Sequence, residues 1–310
     1  MAFLRAFGSY LPSRVAGNAE LAALLGCDPD WILSVSGISE RRYAAEDETV
    51  VDLAHRAGSD CLNRAGVEPG QIGLLIVSSG SAERRFPGPA AETAFRLGLN
   101  GIPAIDLPVA SAGSVFALAL AAQLSPVHGQ ILVIAAEKMS AVISRPPLDR
   151  NTAILFGDGA GACLVHPTDG PAEILDACLH TDGAFAQNLR LEFEQPIHMD
   201  GRTVILQASR KMPAVIREVL ERKNQAAAGV DTYLMHQANQ NLIVRVAEAL
   251  GVDPPRFYSN IARYGNTSSA SMLIAAAEWS AESGFRPSQP VVFAGFGAGF
   301  HWGALLAAGR

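Results

Sequence analysis

The sequence predicts an α/β fold with mixed β-sheets, and two patterns support this prediction. Short apolar runs bounded by glycine, proline or polar residues are typical of buried strands. The longer segments between them place apolar residues at helical spacing, and such alternation is typical of α/β domains. The strands are predicted at residues 73–79, 131–136, 153–156, 161–165, 233–235 and 291–294. The helices are predicted at residues 50–62, 114–124, 214–222, 242–250 and 270–279.

The order of elements is roughly repeated, which predicts two similar halves. A strand, a helix and a strand over residues 105–136 lead into the glycine-rich segment 156–161, and a comparable series near the C-terminus leads into segment 295–299. Residue identity between the halves is slight, so the repeat is architectural. The segment 166–172 contains two prolines and a glycine, which favour a linker. We therefore expect an N-terminal half at 1–168 and a C-terminal half at 169–310.

The composition indicates a large buried core and excludes several classes of function. The 310 residues are 49% hydrophobic and 17% charged, and the net charge of -6 argues against a broad nucleic-acid surface. No apolar run reaches the roughly 18 residues that span a bilayer, so we expect a cytoplasmic protein without a membrane partner. The four cysteines are far apart, without zinc-ligand spacing, and we expect reduced core thiols and no metal.

Three polar residues stand where chemistry is expected. Ser111 follows an apolar strand and precedes an alanine-rich helix, where small neighbours admit a substrate and the helix dipole favours negative charge. His236 ends a buried strand, and a neutral imidazole there can donate or accept a proton. Asn266 lies in a small polar turn and offers an amide donor to an oxyanion. Each residue taken alone is more often a cap, a core histidine or a turn residue.

The ordered combination of motifs resembles one family over nearly the whole chain. The motifs are Trp31, Gly37-Ile38, Phe86-Pro87, the segment 156–161, His236-Gln237-Ala238-Asn239, Gly265-Asn266-Thr267-Ser268 and the segment 295–299. Together they resemble β-ketoacyl-acyl carrier protein synthase III, of the thiolase superfamily. The resemblance implies a thiolase-like fold, in which two similar half-domains form a layered α-β-α-β-α arrangement.

The resemblance also implies an acyltransferase with a nucleophile-His-Asn triad. The nucleophile takes an acyl group from coenzyme A, and His236 and Asn266 stabilise the enolate that forms when a malonyl thioester decarboxylates. Backbone amides of the glycine run, at Gly297 and Gly299, are expected to form an oxyanion hole. Acyl-CoA is then a substrate, and no cofactor is bound permanently.

Further residues match the family's ligand and partner contacts. Trp31 and Arg150 match the pair that holds the coenzyme A adenine, and Phe86 matches an acyl-pocket residue that crosses a dimer interface, so we expect a homodimer. Ordinary packing is the alternative for Trp31 and Phe86. An acyl carrier protein is a possible partner, with a basic cluster as its dock or else as a solvated face. The cluster contains Arg210, Lys211, Arg217, Arg222 and Lys223.

The chain departs from the family at the nucleophile, because Ser111 occupies the cysteine position. A serine hydroxyl must lose its proton to a base during attack, so His236 is expected to serve as that base. Asn241 also stands where the family usually has arginine, which weakens the case for carrier-protein docking.

Four accounts of the serine remain open. The first is a natural serine enzyme of fatty acid or polyketide-type biosynthesis that condenses the acyl group with a malonyl thioester or passes it to another acceptor. The second is an engineered cysteine-to-serine variant, and the third is a weakly active partner subunit of a heterodimeric synthase. The fourth is a decarboxylase or hydrolase that does not condense.

Overall fold

The computed structural model describes all residues from Met1 to Arg310. The strands are β1 (Phe3–Tyr10), β2 (Arg14–Gly17), β3 (Glu40–Tyr43), β4 (Ile72–Ser78), β5 (Ala104–Leu107), β6 (Gln130–Lys138), β7 (Asp158–His166), β8 (Ala172–Thr181), β9 (Leu189–Arg190), β10 (His198–Met199), β11 (Thr232–Met235), β12 (Pro290–Gly297) and β13 (His301–Gly309). The helices are α1 (Asn18–Leu25), α2 (Pro29–Ser36), α3 (Val50–Ala65), α4 (Pro89–Arg96), α5 (Gly113–His128), α6 (Ser140–Ile143), α7 (Arg150–Ala153), α8 (Gly201–Glu221), α9 (Gln240–Leu250), α10 (Ile261–Tyr264) and α11 (Ser271–Glu282). No helix combines the length and the apolar character needed to cross a bilayer.

Nine strands form a continuous mixed sheet in the order β11-β12-β13-β8-β1-β7-β6-β4-β5. β4 runs parallel to β5 and β6, β11 runs parallel to β12, and the other neighbours are antiparallel. β1 and β8 share only two residue pairs, Phe3 with Glu173 and Leu4 with Ala172. This short junction separates a five-stranded part from a four-stranded part. The junction uses the first residues of β8, directly after the turn between β7 and β8 where the linker is expected. The division at residue 168 stays a prediction.

Three separate cores show how the helices cover the two parts of the sheet. Successive side chains of a strand point to opposite faces, and in β4 Ile76 packs with α5 and α11 whereas Leu75 packs with α3. In β12, Phe293 joins the same middle core and Val292 packs with α8 and α9. The helices α5 and α11 therefore lie between the two parts of the sheet, and the predicted α-β-α-β-α layering is confirmed.

The predicted strand at 153–156 is wrong. Ala153 is the last residue of the short helix α7. Asp149 is the N-cap of this helix, and its side chain accepts a hydrogen bond from the Asn151 amide. Phe156 forms only an isolated bridge with Asn266. The run is apolar because Ile154 and Phe156 fill two small satellite clusters, and burial alone does not distinguish a strand from an irregular buried segment.

Two glycines in neighbouring strands allow helices to approach the sheet closely on its two faces. A Cβ atom at Gly8 of β1 would lie 2.3 Å from the Cys61 amide nitrogen of α3. A Cβ atom at Gly161 of β7 would lie 2.7 Å from the Ile274 amide nitrogen of α11. The position of α11, which begins at Ser271, therefore depends on a missing side chain in β7.

We expect Gly161→Ala to destabilise the protein by about 3 kcal/mol. The added methyl group would overlap backbone atoms of α11, which cannot rotate away as a side chain can. The measurement is chemical unfolding of both proteins in urea. Gly70→Ala is the matched control, since a Cβ there meets nothing within 4 Å. Equal unfolding midpoints for Gly161→Ala and Gly70→Ala would contradict the close approach.

Candidate active site

Ser111 lies in the turn between β5 and α5. Ala112 occupies the N-cap position of α5, and no side chain caps that end. The capping interpretation of Ser111 is therefore wrong. Its half-buried hydroxyl makes a single side-chain contact, with the Ser268 hydroxyl at an Oγ–Oγ distance of 3.4 Å.

His236 and Asn266 are brought to the same region from the second half of the chain. His236 follows β11, and its amide donates to the Ala294 carbonyl of β12 at 2.8 Å. Asn266 is held by the neighbouring loop, because its amide donates to the Leu155 carbonyl and its carbonyl accepts from the Gly157 amide. Its side-chain Oδ1 accepts from the Ser268 amide at 2.9 Å, which leaves the Nδ2 group as a donor.

The hydroxyl of Ser271 contacts the His236 ring. It accepts from the Gln237 amide at 3.0 Å, and it lies 3.0 Å from the Ser268 carbonyl and 2.7 Å from His236 Nδ1. A serine hydroxyl has one proton, and both the Ser268 carbonyl and Nδ1 lie within reach of it. When the Ser268 carbonyl takes this proton, Nδ1 carries the ring proton and Nε2 keeps its lone pair; when Nδ1 takes it, Nε2 carries the ring proton.

Burial sets the charge of this imidazole. His236 is only 5% exposed, and burial lowers its pKa to about 4, against a smaller opposing contribution from the Ser268 backbone. The ring is neutral at pH 7, so one of its two nitrogens carries a proton and the other has a lone pair. No hydrogen bond joins it to Ser111 in this structure.

Ser111, His236 and Asn266 line one cavity of about 480 Å³. Ser268 and Gly297 share its wall, and over half of the lining residues are apolar. The far wall is built by the segment after β9 and by the start of α8, with Leu191, Ile197, Val204, Ile205, Ala208 and Met212. The lining also includes Arg84, Arg85, Arg145 and Arg190. This cavity admits a polar head near Ser111 and an apolar tail beyond it.

The glycine run touches the site through one of its two predicted residues. A Cβ atom at Gly297 would lie 3.0 Å from the Ser111 amide nitrogen and 2.8 Å from that of Ala112. Gly299 lies outside the cavity lining, and a Cβ there would meet the His301 ring. The backbone beside Ser111 therefore belongs to Gly297.

Comparisons with known proteins identify the family. The model of 3-oxoacyl-[acyl-carrier-protein (ACP)] synthase III matches residues 105–183, and the model of its C-terminal part matches residues 220–308. β-Ketoacyl-[acyl-carrier-protein] synthase III 1 of Vibrio cholerae serotype O1 is 36% identical over 308 residues, which are 96% of this chain and 96% of that protein. The chain belongs to the β-ketoacyl-acyl carrier protein synthase III family.

Solved structures of synthase III proteins have the same fold. The 3-oxoacyl-[acyl-carrier-protein] synthase III of Aquifex aeolicus superposes with a TM-score of 0.95 at 33% identity, covering 99% of this chain and 100% of that one. The priming β-ketosynthase of the R1128 polyketide biosynthetic pathway has a TM-score of 0.92 at 30% identity, covering 100% of this chain and 97% of that one. The predicted thiolase-like fold is confirmed.

Three other residues of this synthase III chain lie outside the cavity. The Arg150 guanidinium stacks over the Trp31 ring, with 4.9 Å between Cζ and the ring centroid. The structure thus brings this predicted pair together at the surface. Phe86 is 85% exposed.

The basic cluster on α8 is largely engaged within the chain. Lys211 pairs with Asp182 and stacks on Trp302, Arg222 pairs with Glu218, and Arg217 donates to the Ala249 carbonyl. Arg210 and Lys223 have no such partner. Asn241 donates to the carbonyls of Ser34 and Val35 at the end of α2. The synthase III chain therefore presents fewer free cations here than its sequence suggests.

None of the four cysteines can replace the nucleophile. None lines the cavity, and all are free thiols. Burial raises the pKa of Cys61 to about 12 and that of Cys178 to about 11, and it also raises the pKa of Cys163. A thiolate at neutral pH is excluded for these three.

Sequence reasoning missed Ser271, Ser268 as a contact of Ser111, and the wall formed by residues 189–199. Both serines lie in or beside the quoted Gly265–Ser268 motif, and nothing in a run of small polar residues indicates which hydroxyl meets the imidazole. The wall residues are scattered among polar ones, so no local pattern separates them from a surface loop.

We expect the buried neutral state of His236 to make folding sensitive to acid. Its folded pKa lies below the ordinary histidine value, so its full contribution is present above about pH 6.5 and falls as the pH approaches 4. Between pH 6.5 and 5 this removes about 2 kcal/mol. Urea unfolding at pH 7 and pH 5 measures this change in the free energy of unfolding. His236→Asn is the control, and its free energy of unfolding should fall less between the two pH values. Equal losses in both proteins would contradict the assignment.

Proposed function

We propose that this synthase III chain is an acyltransferase that takes an acyl group from acyl-CoA onto Ser111. The acyl group then passes to a malonyl thioester or to another acceptor, in fatty acid or polyketide-type biosynthesis. The main support is the shared cavity, in which the Ser111 hydroxyl, a neutral His236 and the Asn266 amide meet beside the Gly297 backbone. Nucleophile, base and oxyanion donor are the groups that acyl transfer requires.

The acylation step uses His236 in the tautomer that has a lone pair on Nε2. Nε2 takes the Ser111 proton as Oγ attacks the thioester carbon, and the imidazolium then protonates the departing coenzyme A thiolate. The products are an oxygen ester on Ser111 and free coenzyme A, with no net proton change. The separation of Ser111 from His236 in the free protein is compatible with this step, because catalytic hydrogen bonds often tighten only once substrate is bound.

The condensation step uses His236 and Asn266 together. A malonyl thioester loses CO₂, the resulting enolate attacks the ester carbon, and Ser111 leaves with the uptake of one proton. Each donor aimed at the thioester oxygen lowers the barrier by about 3 kcal/mol. His236 must then hold its proton on Nε2, which is the tautomer in which Nδ1 accepts from the Ser271 hydroxyl.

An acceptor with its own hydroxyl or amine is a second candidate. With its proton on Nδ1, His236 accepts a proton at Nε2, and this tautomer suits removal of a proton from such an acceptor. The engaged basic side chains of α8 and the amide at Asn241 give a carrier protein fewer cations to bind than free side chains would. Carrier-bound and free acceptors therefore both belong in the assay.

Surface residues support the proposed acyl-CoA donor and the proposed homodimer. We infer that the coenzyme A adenine enters between Trp31 and Arg150, since a guanidinium and an indole both stack on a flat heterocycle. We also infer a homodimer in which Phe86 is covered by the second chain. The supporting observation is its exposure of 85%, which is costly for an aromatic side chain in water.

We expect an acyl ester on Ser111, detected by intact-protein mass spectrometry after incubation with a panel of acyl-CoA thioesters. The mass increase should equal one acyl group and vanish in Ser111→Ala. Ser283→Ala is the matched control, because Ser283 is an exposed serine far along the chain. Added malonyl-CoA or malonyl-carrier protein should then yield a ketone product.

Other outcomes of this assay separate the alternatives. An adduct on Ser111→Cys but none on the chain itself would indicate a disabled thiol site. Free acid or acetyl thioester without ketone would indicate a hydrolase or decarboxylase. No adduct on any form would contradict the proposal and favour a partner subunit.

We expect Gly297→Ala to slow ester formation on Ser111 by about a hundredfold, because its methyl group pushes against the Ser111 backbone and displaces an oxyanion donor. The rate of adduct growth measures the effect. Gly70→Ala is the control, since a Cβ there meets nothing within 4 Å. Similar rates in the two variants would argue against the oxyanion role of Gly297.

A further inference from the structure

Two hydroxyl groups, those of Ser111 and Ser268, are in contact at the site. Ser268 is the only side chain that hydrogen-bonds Ser111, at an Oγ–Oγ distance of 3.4 Å. This distance is long for a bond between hydroxyls, so the contact is weak in the free protein. Ser268 is only 4% exposed and lines the cavity beside Ser111.

The backbone of Ser268 is fixed more firmly than its side-chain contact suggests. Its amide donates to Asn266 Oδ1 at 2.9 Å, and its carbonyl accepts from Ser271 Oγ at 3.0 Å. Its φ angle is 48°, a region that residues with a Cβ atom seldom occupy. The turn that fixes Asn266 and His236 therefore also fixes the Ser268 hydroxyl.

Gly297 limits Ser111 from another side. A Cβ atom at Gly297 would lie 3.1 Å from the Ser111 Cβ, so this backbone already packs tightly against the residue. Ser111 therefore packs against Gly297 at its backbone and contacts Ser268 at its hydroxyl. We propose that Ser268 is a positioning residue that orients the Ser111 hydroxyl for attack, and this inference rests on the proposed acylation of Ser111.

The chemistry makes this dependence specific to serine. A hydroxyl keeps its proton until attack, so the direction of its O–H bond decides whether a lone pair faces the thioester carbon. A thiolate has already lost its proton, and a thiol is a weak hydrogen-bond donor. The hydroxyl of Ser268 should therefore assist a serine nucleophile and matter little to a cysteine in the same place.

The experiment compares loss of the Ser268 hydroxyl in two backgrounds. Ser268→Ala and Ser268→Gly are made in the full chain and in the Ser111→Cys variant. Glycine adopts positive φ freely, so Ser268→Gly separates loss of the hydroxyl from backbone strain. Mass spectrometry measures the acylation rate at saturating acyl-CoA and the acyl-CoA concentration that gives half of this rate. The donor is whichever of acetyl-, propionyl- and octanoyl-CoA acylates the largest fraction of the parent chain.

We expect both variants to slow acylation of Ser111 about tenfold, as the loss of one weak hydrogen bond would, with an unchanged half-saturating concentration. In the Ser111→Cys background the rate should stay within about twofold. Equal slowing in both backgrounds would mean a structural role, and no slowing in either would mean no role; both overturn the inference alone. A parent chain without an ester on Ser111 would overturn the proposed function and the inference together.

Discussion

One buried hydroxyl, that of Ser271, holds together the part of the site that comes from the second half of the chain. It lies 2.7 Å from His236 Nδ1 and 3.0 Å from the Ser268 carbonyl, so it links the imidazole ring to the turn that carries Asn266. The same hydroxyl receives the Gln237 amide, so it joins the end of β11 to the start of α11. The site residues from the second half of the chain therefore depend on where α11 lies, and α11 lies where Gly161 allows.

A neutral His236 is compatible with the serine nucleophile proposed above. A cysteine thiolate is ready before the substrate arrives, whereas a serine needs a base that is uncharged at working pH. Burial keeps His236 neutral without any nearby carboxylate to raise its pKa. Burial raises the pKa of Cys61 and Cys163, and none of the four cysteines lines the cavity, so no thiol competes with Ser111 there.

The sequence was most informative where burial and periodicity agree. Central strands such as β4 and β6 are continuous apolar runs, and they were predicted within a few residues. β8 is half-buried along most of its length and carries Asp176 and His180, so it has no apolar run to detect. The segment 153–156 shows the reverse case, because it is apolar but irregular.

For the site, the motif order gave the residues that meet in the cavity but not their hydrogen bonds. Ser111, His236 and Asn266 were identified because they end strands or begin helices in a family order. The hydrogen bonds that Ser271 makes with His236 and Ser268 were not predictable, since they depend on distances of 2.7 to 3.0 Å between residues up to 35 positions apart. Whether a residue such as Phe86 meets a second chain also depends on surfaces that a single sequence does not describe.

The stack of Arg150 on Trp31 has a consequence for the proposed coenzyme A site. An adenine between the two side chains needs about 7 Å, two contacts of about 3.5 Å each, whereas the present separation is 4.9 Å. Binding as proposed therefore separates the two side chains and exchanges their attraction of about 0.5–1 kcal/mol for the stacking of adenine on each of them. A pantetheine thioester without the nucleotide leaves the stack intact. Under this proposal the pair opens for coenzyme A and stays closed for a carrier-bound acyl group.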